Sequence, residues 1–306
     1  MKRIVSFMLA LLIGFISLKF FFHYQIYQAI GNHNKNDQAS VSIHYKSLST
    51  SLWNQSVSFH NLNIDPASNQ RLSIDKVSIQ SAHLLGELKD FTSVVTNLIE
   101  PKKIKVHNLA FNLNEPIQIA KLKIEWPKKY QKYLTELDLA YLLSDLKAIT
   151  QVSADKNFMA LSIHQKIHKM FQLTLDSNFS IHADYRKQNT MPLGFANLAL
   201  VNATLKIEHD TFIEKLAAHI AFEKNKTSLR IKHDLYESFM QALDKTKIPF
   251  SESDRLAIQN FIEKNQSLYV HLKPLPMVDV TTLLHLDLYN PNDIPSMLNL
   301  RFTNEA

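Results

Sequence analysis

Glu208-His209-Asp210 sets an acid, a base and a second acid in consecutive positions. Side chains of these types run general acid–base chemistry when they converge on one reacting atom. Consecutive residues on a strand point to opposite faces, so these three cannot form a triad among themselves. No Gly-x-Ser-x-Gly elbow is present to supply a nucleophile. His164 and His168 have the four-residue spacing of a zinc-protease helix, but Gln165 stands where that motif needs its Glu. On a strand, His164, Lys166 and His168 would simply line one polar face. The chain has 4 glycines (Gly14, Gly31, Gly86, Gly194), too scattered for the loops that cradle phosphates. It has no cysteine, which excludes disulfides and thiolate metal sites. The residues therefore point to no catalytic set, no metal ligands and no cofactor, and the chain reads as a non-enzyme.

The net charge is +6, with basic and acidic residues interspersed. The densest basic runs, Lys102-Lys103-Ile104-Lys105 and Lys128-Lys129-Tyr130-Gln131-Lys132, are short and read as solvated faces. Neither predicts nucleic-acid binding. An anionic membrane surface is the better match for either.

The elements that must position any site are announced by a pattern that occurs twice. Val57-Ser58-Phe59-His60-Asn61-Leu62-Asn63-Ile64 is answered by Ile104-Lys105-Val106-His107-Asn108-Leu109-Ala110-Phe111. Apolar residues alternate, slip phase at the shared His-Asn pair, and alternate again. Alternation marks a strand with one apolar face, and a one-residue slip marks a β-bulge. Leu72, Ile74, Val77 and Ile79 match Ile117, Ile119, Leu122 and Ile124 as the following strand of each copy. The pattern predicts two bulged hairpins in tandem. His60 and His107 hold equivalent positions and share one structural job, such as bonding a backbone group left unpaired at the bulge.

Lys2-Arg3 precede an apolar span that opens at Ile4 and closes at Phe22, interrupted by Lys19. No small-x-small cleavage site follows, so the span reads as an uncleaved signal anchor rather than a cleaved signal peptide. The basic flank predicts an amino terminus inside and the bulk of the chain outside the cytoplasm. Residues 1–27 are thus expected to form the anchor and 28–40 a linker. Residues 41–150 are expected to form the repeated hairpin-helix region, and 151–306 a second α+β region continuous with it.

Val41, Ile43 and Tyr45 should begin a strand running toward Leu52 and Trp53. Helical stretches are expected at 83–99 and 127–149, the second with an apolar stripe of Tyr130, Leu134, Leu137, Tyr141 and Leu142. Phe171, Leu173 and Leu175 alternate, and Asp176-Ser177-Asn178 reads as a break before Phe179 and Ile181. Ser251 and Asp254 open a helix whose Ile258, Phe261 and Ile262 share a face. Residues 211–221 fit helix or strand, 236–244 a helix, and 297–302 a closing strand. The fold class is α+β: an antiparallel, bulged and curved sheet with a few covering amphipathic helices, preceded by one transmembrane helix.

An anchor followed by strands of the type Val-Ser-Phe-x-Asn-Leu-x-Ile and Leu-Ser-Ile-Asp-Lys-Val-Ser-Ile resembles the AsmA-like proteins of Gram-negative envelopes. The resemblance covers the first 125 residues or so. It implies a β-groove with an apolar interior that handles phospholipid or assists envelope assembly. It also implies a single-pass bacterial inner-membrane protein with its bulk in the periplasm. On that reading Val57, Phe59, Leu62, Ile64, Ile104, Val106, Leu109 and Phe111 line a lipid-binding groove. The alternative is a non-catalytic envelope scaffold acting through protein–protein contacts, with the same residues buried as ordinary core.

Overall fold

The computed structural model describes residues 24, 27–28, 41–51, 54–66, 72–81, 102–112, 117–119, 122–124, 132–133, 135–138, 141–155, 157–182, 197–209, 211–245, 247–283 and 285–305. The expected anchor (apart from helical Tyr24 and Tyr27), most of the linker, the 83–99 stretch and the start of the 127–149 helix lie outside them. Among the described residues no helix is long and apolar enough to cross a membrane.

The chain forms strands β1 (Val41–His44), β2 (Ser47–Ser51), β3 (Ser56–Pro66), β4 (Leu72–Ser81), β5 (Lys102–Asn112), β6 (Ile117–Ile119) and β7 (Leu122–Ile124). Four long strands follow: β8 (Tyr141–Val152), β9 (Phe158–Ile167), β10 (Phe171–Ile181) and β11 (Leu198–Glu208). Helices α1 (Phe212–Lys224), α2 (Ser228–Asp244) and α3 (Glu252–Lys264) come next. The remainder is β12 (Leu268–Leu272), β13 (Val278–Asp279), α4 (Val280–Leu283), α5 (Ile294–Leu298) and β14 (Arg301–Thr303). Twelve strands make one open antiparallel sheet in the order β1-β3-β4-β5-β8-β9-β10-β11-β12-β14, with β2 beside β3 and β13 beside β11. This is the α+β architecture the alternation predicts. One sheet spans both halves of the chain, joined where β8 pairs with β9.

The phase slips are real features of the backbone. Asn61 and Asn108 take left-handed conformations at φ 49° and 51°, which Asn tolerates better than most residues. On β5 the slip is a bulge: Val106 faces Leu146, but Leu109 faces Ser144. On β3 and β4 both strands slip in step, so His60 faces Lys76 and Leu62 faces Ile74 without loss of register.

The helices form a cap at one end of the long strands. α1 buries Phe212, Ile213, Leu216, Ala217, Ile220 and Ala221. It ends at Asn225 in the left-handed region (φ 51°), and the Lys226 N–H donates back to the Ala221 carbonyl at 2.9 Å. Thr227 then caps α2, its side chain accepting from the Arg230 N–H. α3 opens with the expected capping box between Ser251 and Asp254 and buries Ala257, Ile258, Phe261 and Ile262.

Four expectations are corrected. Tyr141 to Ile149 belong to β8, not to the 127–149 helix; helical residues reach Glu136, and Asp138 turns the chain at φ 57°. Leu142 and Leu146 have helical spacing, but β5 offers an open edge and the segment pairs with it. The second copy of the repeat does not match the first, because β6 and β7 pair with each other, Ile119 opposite Leu122, away from the main sheet. β10 runs without a break through Asp176-Ser177-Asn178. Residues 294–298 form α5, and only Arg301–Thr303 close the sheet.

Candidate functional site

Register brings one apolar residue from each of nine strands into a row. Val57 faces Ile79, which faces Ile104, which faces Ala148. Ala148 faces Ile163, which faces Leu175, then Leu205, Val270 and Phe302. A parallel row runs Phe59, Val77, Val106, Leu146, Gln165, Leu173, Ile207, Leu268. Its one polar member, Gln165, donates to the Ser144 hydroxyl at 3.0 Å. Nine strands at about 4.8 Å spacing make the row roughly 40 Å long.

Three clusters cover parts of this face. Val57 and Phe59 (each 3% exposed), Leu62 and Ile74 pack with Tyr45, Leu48, Val77, Val106 and Leu109 at one edge. The helical cap covers Leu142, Ile167, Phe171, Ile207 and Leu268 at one end of the strands. Met159, Phe179, Ile181 and Leu198 pack with Val280 of α4 at the other end. Between them, Ile104, Ala148, Ile163, Leu175, Leu205 and Val270 are half-buried, and none belongs to any of the three clusters. The middle of the row is a half-buried apolar strip, and the next row on the same face includes the buried Ser81, Lys102, Thr150 and Ser177.

The expected groove residues divide accordingly. Val57, Phe59 and Leu62 are buried, whereas Ile104, Val106 and Leu109 are half-buried on the same face. Ile64 and Phe111 belong to β3 and β5, but their side chains lie outside the described residues. Sequence reasoning missed Ala148, Ile163, Leu175, Leu205 and Val270. Their alternation marks strands, but only the register sets them in one line.

The opposite face carries the polar chemistry, centred on Asp145. Its carboxylate accepts from the bulge N–H of Asn108 at 3.1 Å and contacts the His168 ring at 2.9 Å and the His107 ring at 3.5 Å. Asp145, not a histidine, therefore satisfies the backbone at the bulge. His60 instead meets the Ser49 hydroxyl at 3.5 Å. Burial pushes the Asp145 carboxyl up, but the Asn108 N–H and the two histidines outweigh it and hold the group below its ordinary value of 3.8. A carboxylate depressed in this way stabilises the fold fully above its unfolded value, and the contribution fades as pH falls through the lower folded value. Asp145→Ala should therefore cost about 1 kcal/mol at neutral pH, the low end for an orphaned N–H at a partly exposed site. The gap to wild type in urea unfolding should close below about pH 4, near the usual carboxylate range. A gap independent of pH would remove the carboxylate from the bulge.

The other candidates do not converge. His164 lies on β9 and meets the Thr174 hydroxyl at 3.1 Å. His209 is buried, its Nε2 donating to the Phe261 carbonyl at 3.1 Å and its Nδ1 3.6 Å from Glu214. Glu208 pairs with Lys206 instead. Lys102, read as part of a solvated run, is buried at 5% exposure at the start of β5. Among the described residues no group of three or more His, Asp or Glu side chains is placed to hold a metal ion.

This geometry defines a class: an open antiparallel sheet with a helical cap at one end and a half-buried apolar row across its strands. Comparison with known protein families matches residues 149–305 to a family described as "Uncharacterized protein". That span is just over half of the chain, and the chain belongs to this family. A search of curated proteins found no match.

Proposed function

We propose that this protein is a non-catalytic, membrane-anchored lipid-binding protein of a bacterial envelope, its sheet in the periplasm and phospholipid acyl chains lying along the apolar strip. The observation that carries the reading is the half-buried middle of the row, from Ile104 to Val270 across six strands. A contiguous apolar strip flanked by polar groups marks a binding site more often than idle surface. At roughly 24 Å it exceeds a single acyl chain, which fills about half of the ~30 Å bilayer core. The amino-terminal apolar span and the resemblance to AsmA-like proteins support the membrane and periplasmic parts of the reading.

The test is native mass spectrometry with lipid extraction on the full chain purified from membranes. Bound phospholipid is expected in the wild type, and its loss in an Ile163→Thr, Leu175→Thr double variant that still melts cooperatively. Threonine keeps the branched shape that strands favour while making the strip polar. A folded wild type that carries no lipid would instead favour the scaffold reading, for which the deep burial of Val57 and Phe59 already speaks in the β1–β4 region.

A further inference from the structure

The turn between α1 and α2 exposes apolar side chains where a soluble hairpin would hide them. Phe222 is 90% exposed and Leu229 is 67% exposed, on either side of the turn at Asn225. Phe222 lies on the side of α1 opposite its buried residues, and Leu229 stands exposed in the first turn of α2. Lys224, Lys226 and Arg230, their neighbours in sequence around the turn, are all exposed. Across 222–234 four basic residues stand against two acidic ones, Glu223 and Asp234. Glu223 is paired with Lys132, and Asp234 is shared by Lys226 (3.0 Å) and Arg230 (3.3 Å). Lys224 has no ion-pair partner among the described residues.

We infer that this hairpin tip docks on an anionic lipid surface, with Phe222 and Leu229 entering the interface and Lys224, Lys226 and Arg230 meeting headgroup phosphates. Apolar residues flanked by cations are the composition that interfacial binding needs, because buried apolar area and attraction to anionic lipid add. Cations near such a surface each contribute about 1 kcal/mol. A protein partner would equally bury Phe222, but the excess of exposed cations at the same turn matches phosphate. The inference goes beyond the strip and does not depend on lipid being bound there.

The chain has no cysteine, so Phe222→Cys carries a single environment-sensitive fluorophore. Ala154→Cys, on the exposed β8–β9 turn at the end of the strands away from the cap, is the control. The full chain is reconstituted in vesicles of phosphatidylcholine alone or with phosphatidylglycerol, each doped with nitroxide-labelled acyl chains. Any hold by the span from Ile4 to Phe22 is common to both vesicles, so the label reports on the hairpin. The expected result is a blue shift and loss of emission at position 222 in the anionic vesicles and no change at 154. Lys224→Gln, Lys226→Gln and Arg230→Gln together should abolish that loss while leaving the melting temperature unchanged. An unshifted label at 222, or equal quenching in neutral vesicles, would overturn the inference. Either result would leave lipid detection in the strip untouched, so the two readings fail separately.

Discussion

Phe261→Ala is expected to lower the unfolding free energy by about 3–5 kcal/mol, while Phe222→Ala should stay within about 0.5 kcal/mol of wild type. Both phenylalanines belong to the helical cap. Phe261 is 9% exposed on the inner side of α3, its ring 4.9 Å from that of His209 and nearly perpendicular to it. Its removal leaves a cavity lined by the packed residues of α1 and α3, which cannot collapse without giving up their own contacts. Phe222 is 90% exposed and touches little. A loss of this size is a large share of the 5–15 kcal/mol typical of a folded domain. Urea unfolding followed by far-ultraviolet circular dichroism measures both. Equal losses would mean that Phe222 is packed in solution, and the hairpin would then lose its free apolar tip.

Asp254→Ala should cost about 2–4 kcal/mol, a large effect for a residue at the first turn of a helix. Asp254 does two jobs. It completes the capping box, its Oδ2 accepting from the Ser251 N–H at 2.9 Å. Its Oδ1 accepts from the Phe302 N–H at 2.8 Å and so ties β14 to α3. Loss of a cap costs about 1 kcal/mol, and an orphaned N–H at a part-buried site about 1–3 kcal/mol. Amide hydrogen exchange separates the two: the Phe302 amide should lose protection in the variant. Should it stay protected with stability unchanged, Asp254 holds no strand.

α3 is the element most fully legible from sequence, because its start and its buried face are both local. Ser251 and Asp254 announce the capping box, and Ile258, Phe261 and Ile262 follow the helical period. The phase slips were legible for the same reason, since each is written into neighbouring residues, but only the slip on β5 is a bulge; on β3 the register is kept. β8 was not. Its Leu142, Leu146 and Ile149 satisfy a helical spacing, and the deciding factor is the open edge of β5, a feature far away in sequence. β10 shows a second limit. Asp176-Ser177-Asn178 has the composition of a turn, yet Ser177 is 4% exposed and donates to the Leu161 carbonyl at 3.2 Å, while Asp176 and Asn178 face solvent. A small hydroxyl that bonds locally can occupy a strand interior, and composition alone does not show the bond.

The strip was half legible. Ile104, Val106 and Leu109 follow from the repeat, since their alternation fixes the face. Ile163, Leu175 and Leu205 complete it only through cross-strand register, which depends on turns that carry no distinctive signal. The bulge histidines point the other way. Their repeated placement suggested a shared backbone role, but the group that meets the bulge N–H is Asp145, supplied by the next strand in the sheet.

The apolar row runs across the strands rather than along them, so its length and its width have different origins. Width follows from how many residues of each strand lie between the end clusters, and changes to it must be accommodated by every neighbour at once. Length is counted in strands, at about 4.8 Å for each one added. A hairpin gained or lost within the sheet would lengthen or shorten the row and leave its cross-section intact. The architecture can therefore be resized in one direction by whole strands, while the chemistry at any point along it stays the same.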